Sequence, residues 1–313
     1  MDPIINLIAE EADRNTRLDV FLAAYIENWS RSQIQRLIDD GDVLVNQRPV
    51  RSSYKLKPGD EVDAELTEAE TARFEPENIP LDIVYEDEFL AVINKPAGMI
   101  VHPGAGVPSG TLANAIAWHF GLKGETTENG HRVGIVHRLD KDTSGLILVA
   151  KDERTQDELA GQFRKREVFK SYIALVHGSP ELKAGRIDRP IARDRWHRTK
   201  MTVAANGREA TSLWKVRQRF EKFALVQVEI QTGRTHQIRV HMASINHPVV
   251  GDPTYNEGRD NTIANGDIKK VVERLGRVFL HAEKLSFTHP KSGERLSFTC
   301  EMPLELTELL KFL

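Results

Sequence analysis

Residues 67–78, TEAETARFEPEN, carry four Glu and one Arg among few apolar residues. That stretch constrains the fold more than any other. A segment with so little apolar surface cannot join a core, so it reads as a solvated acidic linker, and the chain on either side must close a core of its own. Before it, Leu18, Phe21, Leu22, Tyr25 and Ile26 recur at the spacing of one helix face from Thr16 onward. A second helix follows, with Ser30 and Gln33 in the form of a capping box, Ile34, Leu37 and Ile38 as its apolar face, and Gly41 where it stops. A short strand at 43–45, turns at 46–49 and 57–60, and a strand at 61–66 complete a small module over 16–66, preceded by an N-terminal extension at 1–15.

Beyond the linker, over 79–313, short strands dominate: 83–85, 90–94, 133–137, 145–150, 169–176, 211–220, 223–230 and a late hairpin around His289 to Gly293. Helices are expected at about 111–120, 153–166 and 235–245. The pattern predicts an α+β domain built on a large, mostly antiparallel mixed sheet. With 313 residues and 40% hydrophobic composition, the chain can bury a sizeable core. It has no apolar run of about 18 residues, and its first residues are acidic where a signal peptide is basic and then apolar. A single cysteine, Cys300, precludes an internal disulfide and a cysteine metal cluster. These features point to a cytoplasmic protein with no membrane partner. The net charge of −3 argues mildly against nucleic acid as a partner, but only on average: from Arg31 to Lys57 there are six Lys/Arg against three Asp, and from Arg186 to Lys200 six against two.

The densest stretch for chemistry runs from Gly134 to Ala150, where two apolar segments flank the polar loop HRLDKD at 137–142. Loops held between strands are where reactive side chains are placed. Arg138, Lys141 and His137 beside Asp140 would keep that carboxylate ionised and nucleophilic. Spacing alone allows a second reading equally well, a polar hairpin in which Asp140 or Asp142 bonds to its own backbone.

The stretch HRLDKDTSGL at 137–146 resembles the signature of the RluA-type family of ribosomal large-subunit pseudouridine synthases, closest to its RluD-like branch. INKPAG at 93–98, VHPG at 101–104 and GRTHQIRVHM at 233–242 resemble further segments of that catalytic domain, and 16–66 resembles the alpha-L RNA-binding module. The resemblance implies a pseudouridine synthase that isomerises uridines in large-subunit (23S) ribosomal RNA, or in its assembly precursor, as a monomer without a cofactor. Carried over by position, Asp140 is the nucleophile towards a base flipped out of its stack, Tyr172 the aromatic that packs on that base, and Arg239 the salt-bridge partner of Asp140. Arg138 helps to hold the RNA around the flipped base, and Arg31, Arg36, Arg48, Arg195, Arg198 and Arg234 are expected to contact RNA. No motif covers about 255–277, so no role is carried there. The chemistry agrees: breaking the N1–C1′ bond, turning the base and rejoining it through C5 adds and removes nothing overall, so it calls for a nucleophile and a proton acceptor, not a cofactor.

His236 and His241 lie five apart, not the four of a helical metal pair, and no third ligand is evident, so no metal is expected and packing or RNA contact is the better reading. Gly104, Gly106 and Gly110, after an expected strand from Met99 to His102, lack the spacing of a dinucleotide loop. The run from Arg193 to Lys200 combines cations with Trp196, as an RNA-gripping loop does. A non-enzymatic RNA binder is the main competing function, which would have no use for Asp140 in its motif; a hydrolase using His137 and Asp140 lacks a nucleophile elbow.

Overall fold

The computed structural model describes residues 4–26, 29, 34–35, 37–38, 41–65, 75–103, 107–121, 134–194, 196–197 and 200–313. They fall into two compact units, each with a core of its own. In the N-terminal unit, strands β1 (Ile4–Ile8), β2 (Val43–Val45), β3 (Arg48–Pro49) and β4 (Glu61–Glu65) form an antiparallel sheet in the order β1-β4-β2-β3. The N-terminal extension thus contributes an edge strand, Ile4 pairing with Glu65 through to Ile8 with Glu61. Helix α1 (Leu18–Tyr25) buries Leu18, Phe21 and Leu22 against Val43, Val45, Val62 and Ala64. Ile34, Gln35, Leu37 and Ile38 are helical, and the three apolar ones are buried as the periodicity demands. The Gln35 amide donates to the buried Asp19 at 2.6 Å, beside Arg17 at 2.9 Å. Ser30 and Gln33 of the expected capping box lie outside the described residues.

The larger unit carries β5 (Ile83–Glu86), β6 (Leu90–Lys95), helix α2 (Leu112–His119), β7 (Ser144–Ala150), helix α3 (Glu153–Lys165), β8 (Phe169–His177), β9 (Ala184–Asp188), β10 (Ile191–Arg193), β11 (Met201–Val203), β12 (Thr211–Arg219) and β13 (Phe223–Ile230). Helices α4 (Gln237–Ser244) and α5 (Gly266–Leu275), strands β14 (Leu280–Thr288) and β15 (Arg295–Thr299), and helix α6 (Leu304–Leu310) complete it. Nine strands make one sheet in the order β5-β6-β7-β14-β8-β13-β12-β9, with β15 on β14; only β14 and β7 run parallel. Period-2 alternation sorts the neighbouring strands β6 and β7 onto two cores. Ala91, Ile93, Ile147 and Val149 share one with residues of α2, α4, α5 and α6, while Leu90, Val92, Leu146 and Leu148 share the other with Leu159 of α3. Both faces are therefore covered.

Three expectations are corrected. No strand spans 133–137: among the described residues only Ile135 makes a bridge, to Val149, before the chain turns into the loop. Met99 to His102, expected extended, is loop. Helix α4 starts at Gln237, not Thr235, because His236 takes a left-handed conformation (φ 56°) that no right-handed helix includes. The chain also forms α5, α6, the sheet strand β9 and the small β10–β11 sheet where no element was expected. Gly145 opens β7 at φ +112°, and a Cβ there would lie under 3.0 Å from the Ala282 backbone, so glycine is what lets β7 reach its parallel neighbour directly after the polar loop.

Candidate active site

The loop 136–143 enters β7 with its backbone tied down at three successive carbonyls. The Asp140 carbonyl accepts from Thr143 N at 3.1 Å, that of Lys141 from Gly98 N at 2.9 Å and Lys95 Nζ at 3.0 Å, and that of Asp142 from Arg277 Nη1 at 3.1 Å. Lys95, on β6 and wholly buried, also donates to the carbonyls of Pro96 and Met99, both at 2.8 Å. Burial pulls its pKa down to about 8, with the charges of Asp142 and Asp140 acting the other way. Arg277 reaches Ser144 Oγ at 3.2 Å and is braced by Glu305 of α6 at 2.9 Å. The loop is held from below by two buried cations, so Asp140 projects from a rigid backbone.

His137 takes a different part from the one its position suggested. Its Nε2 accepts the Leu148 N–H at 2.8 Å, and its ring stacks on Phe163 with centroids 4.7 Å apart. Burial, helped by the charge of Lys170, lowers its pKa to about 3. His137 is thus a neutral packing residue, which removes it both from the cations expected around Asp140 and from any His–Asp hydrolytic pair.

Asp140, Tyr172 and Arg239, together with Arg138 and Arg234, line one cavity of about 490 Å³. Arg239, on α4 and 8% exposed, forms a two-pronged bond to the fully buried Asp252, Nε to Oδ2 at 2.7 Å and Nη2 to Oδ1 at 2.8 Å. Its remaining Nη1 reaches Asp140 Oδ2 at 3.3 Å. Burial works against this guanidinium's charge, but the bond to Asp252 and the charges of Asp252 and Asp140 outweigh it and raise its pKa. One cation thus serves two carboxylates, so Asp140 is oriented without being neutralised. Its Oδ1 has no hydrogen-bond partner among the described residues. Tyr172, 6% exposed on β8, has a phenol pKa pushed well above the usual value by burial and by the charge of Asp140, so it stays protonated at neutral pH.

Two members of the site come from a stretch with no recognisable motif. Asp252 accepts the amides of Thr254 and Tyr255 at 2.9 and 3.2 Å, a local turn that fixes its carboxylate for Arg239. Tyr255 lies under that guanidinium, 5.0 Å from ring centroid to Cζ. Its hydroxyl accepts from Met201 N at 2.8 Å and lies 2.7 Å from His236 Nδ1, to which it can donate its proton when that nitrogen is the bare one. Burial lowers the pKa of His236, and the neutral ring then turns Nε2–H towards Asp140 Oδ2, 3.9 Å away. His241 is apart from this, bonded to Ser212 Oγ and the Arg189 carbonyl, both at 2.9 Å.

Of the other expected RNA contacts, Arg48 is exposed on β3 of the N-terminal unit, while Arg31, Arg36, Arg195 and Arg198 lie outside the described residues. Trp196, beyond the β10–β11 ladder, is 79% exposed. Among the described residues no group of three or more His, Cys, Asp or Glu could hold a metal, and no helix is long and apolar enough to cross a membrane.

Comparison with known proteins shows the family. The family described as RNA pseudouridylate synthase matches residues 89–244, and the S4 domain matches residues 16–62. The chain is 41% identical over 311 residues to the RNA pseudouridine synthase YlyB of Bacillus subtilis, covering 98% of this chain and 97% of that protein. It is 40% identical over 301 residues to the ribosomal large subunit pseudouridine synthase D of Zymomonas mobilis, covering 95% and 93%. Among solved structures, human RNA pseudouridylate synthase domain containing 4 matches with a TM-score of 0.56 at 27% identity, over 73% of this chain and 91% of that one. Identity of this level along nearly the whole length, on a cavity floored by the carboxylate of the HRLD stretch, means that the chain belongs to the RNA pseudouridine synthases, with an S4 domain at its N-terminus.

Proposed function

We propose that this enzyme isomerises uridines of large-subunit ribosomal RNA, with Asp140 as nucleophile towards a base flipped out of its stack. The relatives named for large-subunit ribosomal RNA support the substrate, and the S4 domain supports an RNA partner. The observation that carries the chemistry is the Asp140 carboxylate, oriented through Oδ2 by an arginine already paired elsewhere and open at Oδ1 to the cavity. An ionised carboxylate so held can add to C1′ of the ribose or to C6 of the ring. In either course the N1–C1′ bond breaks, C5 bonds to C1′, the C5 proton leaves to a base or water, and N1 becomes protonated, so atoms and electrons balance without a cofactor. Tyr172 acts in this reading as a neutral ring against the base, which offsets part of the few kcal/mol that unstacking costs. Arg138 and Arg234 hold the strand at the mouth, and Arg31, Arg36 and Arg48 grip RNA through the N-terminal module, as do Arg195 and Arg198 beside Trp196. The chain acts as a cytoplasmic monomer on free or pre-ribosomal RNA. Mapping pseudouridines in ribosomal RNA from cells carrying the parent or Asp140→Asn tests this directly. The variant should fold, bind RNA and leave specific large-subunit sites unmodified; a full set of modified sites would overturn the role of Asp140.

A further inference from the structure

The cavity holds more positive charge than its chemistry uses. Six cationic side chains line it, namely Arg138, Arg164, Arg166, Lys170, Arg234 and Arg239, against one carboxylate, Asp140. Arg239 is accounted for by Asp252, Arg166 pairs with Glu209 at 3.2 Å across exposed surface, and uracil itself is neutral, so nothing in the cavity balances the other four. Lys170 is the anomaly among them. It lies on β8 two residues before Tyr172, so period-2 alternation sends both to the same face, and both line the cavity. It is only 9% exposed, rests 5.3 Å from the Phe163 ring centroid, and has no hydrogen-bond acceptor or ion-pair partner among the described residues. Burial alone lowers its pKa, to about 8, with no carboxylate acting to restore it. A buried, unpaired ammonium costs stability, and such a cost is kept where a ligand supplies the missing anion. Helix α3 stops at Arg166, whose left-handed backbone (φ 62°) ends the helix, and exposed Arg164 and Arg166 line the same cavity, Arg166 reaching Glu209 at 3.2 Å.

We propose that Lys170, with Arg164 and Arg166, forms a phosphate-receiving subsite that takes a phosphodiester of the RNA strand next to the target nucleotide. The inference rests on the reading of the cavity as the place where ribosomal RNA reacts, and it adds to that reading the part of the strand gripped at the Phe163 end. A phosphate there supplies the acceptor that Lys170 lacks, while Arg164 and Arg166 offer forked donors to its outer oxygens. The subsite therefore sets affinity and the register of the strand, and Asp140 performs the chemistry.

The test measures binding of a full-length large-subunit ribosomal RNA transcript between 50 and 200 mM KCl, beside turnover and thermal midpoint, for the parent, Lys170→Met, Lys170→Arg and Arg164→Ala. Lys170→Met should weaken binding roughly tenfold and reduce the slope of log affinity against log salt by about 0.7. Its thermal midpoint should stay level or rise, since a buried charge is gone, and Lys170→Arg should recover most of the affinity. Arg164→Ala, on an exposed side chain that threatens no core, should reduce the slope by a similar amount and keeps the test decisive if Lys170→Met does not fold. Parental affinity and slope in Lys170→Met and in Arg164→Ala would overturn the subsite. So would a Lys170→Met protein whose midpoint falls and which arginine does not rescue, because that marks Lys170 as structural. Failure of the parent to modify the transcript would instead overturn the substrate assignment, and is read from the parent's own turnover, apart from the binding of the variants.

Discussion

Lys95 and Lys170 are both buried lysines whose pKa burial draws down to about 8, yet their surroundings differ in one respect. Lys95 donates its three protons to three backbone carbonyls, of Pro96, Met99 and Lys141, and feels the charges of Asp140 and Asp142. Lys170 has an aromatic ring beside it and no acceptor among the described residues. The desolvation cost is alike, and the difference lies in what offsets it. Fixed acceptors make Lys95 a part of the scaffold that holds the Asp140 loop; the lack of acceptors leaves Lys170 to a ligand.

The largest expected effect comes from removing the scaffold lysine. Lys95→Met leaves the carbonyls of Pro96 and Met99 without a donor, each costing about 1–3 kcal/mol, and leaves the Lys141 carbonyl next to Asp140 held by Gly98 N alone. Urea unfolding should show a loss of several kcal/mol, and turnover should fall by a factor of at least about 100, since misplacing a reacting group by about 1 Å costs that much. Lys170→Met should lose no stability under the same conditions. If Lys95→Met matches the parent in both measurements, the contrast between the two lysines collapses.

A smaller effect is expected at Arg277, the second cation beneath the loop. Arg277→Met removes donors to the Asp142 carbonyl and Ser144 Oγ and should lower kcat by roughly tenfold with little change in KM, because nothing that touches RNA is altered. Glu305→Gln, in which the half-exposed brace of Arg277 loses its charge, should retain most activity. An equal loss of kcat and of RNA affinity in Arg277→Met would place Arg277 in RNA binding instead.

The pH dependence of stability sharpens the comparison further. For a lysine whose folded pKa lies below its unfolded value, the unfolded chain holds more protons between the two, so stability rises with pH from about 8 to about 10.5. Below about 8 both states are protonated, the slope vanishes, and the cost of the buried charge is carried in full. Lys170→Met should therefore flatten part of the rise while gaining relative stability below pH 8. Chemical unfolding at pH 7, 9 and 10.5 checks this, and a rise identical to that of the parent would show that Lys170 does not carry a buried charge.

Sequence reading reached one half of the site and missed the other for a physical reason. Asp140 stands in a contiguous polar loop between apolar runs, and Arg239 in a contiguous basic stretch, so local pattern exposes both. Asp252, Tyr255 and Arg277 act through contacts made only once β14, α4 and the 251–256 turns come together, and their segments have no period that differs from ordinary loop. Lys95 stood in plain view in INKPAG, but nothing local tells a buried donor to three carbonyls from a surface lysine. Every strand of the nine-stranded sheet but the edge strand β9 was legible from alternation, and the expected strand at 133–137 failed because the segment makes one bridge and then bends into the loop. Helix α5 has an Asn265 cap, whose side chain accepts from Asp267 and Ile268 amides, and a Gly276 stop; both signals are ordinary ones set in a stretch without a motif.

The smallest effect expected is at Tyr255, where two contributions can be parted. The ring supports the Arg239 guanidinium, and the hydroxyl joins Met201 N to His236 Nδ1, which fixes the tautomer that turns Nε2–H towards Asp140. Tyr255→Phe keeps the ring and removes the relay, leaving the half-buried His236 free to take the other tautomer or to turn. One neutral hydrogen bond of this kind contributes about 0.5–1.5 kcal/mol, so turnover should fall by roughly two- to tenfold, with RNA affinity unchanged. Tyr255→Leu also loses the cation–π contact, worth about 0.5–2 kcal/mol, and loosens the arginine shared by Asp140 and Asp252, so its loss should exceed that of Phe by a similar factor again. Single-turnover rates on the large-subunit transcript, with the histidine tautomer read from imidazole nitrogen shifts in the free enzyme, measure the two contributions separately. If Phe and Leu lose rate equally, the ring does nothing for Arg239; if Phe retains both the parental rate and the parental tautomer, the hydroxyl relay has no part in orienting His236.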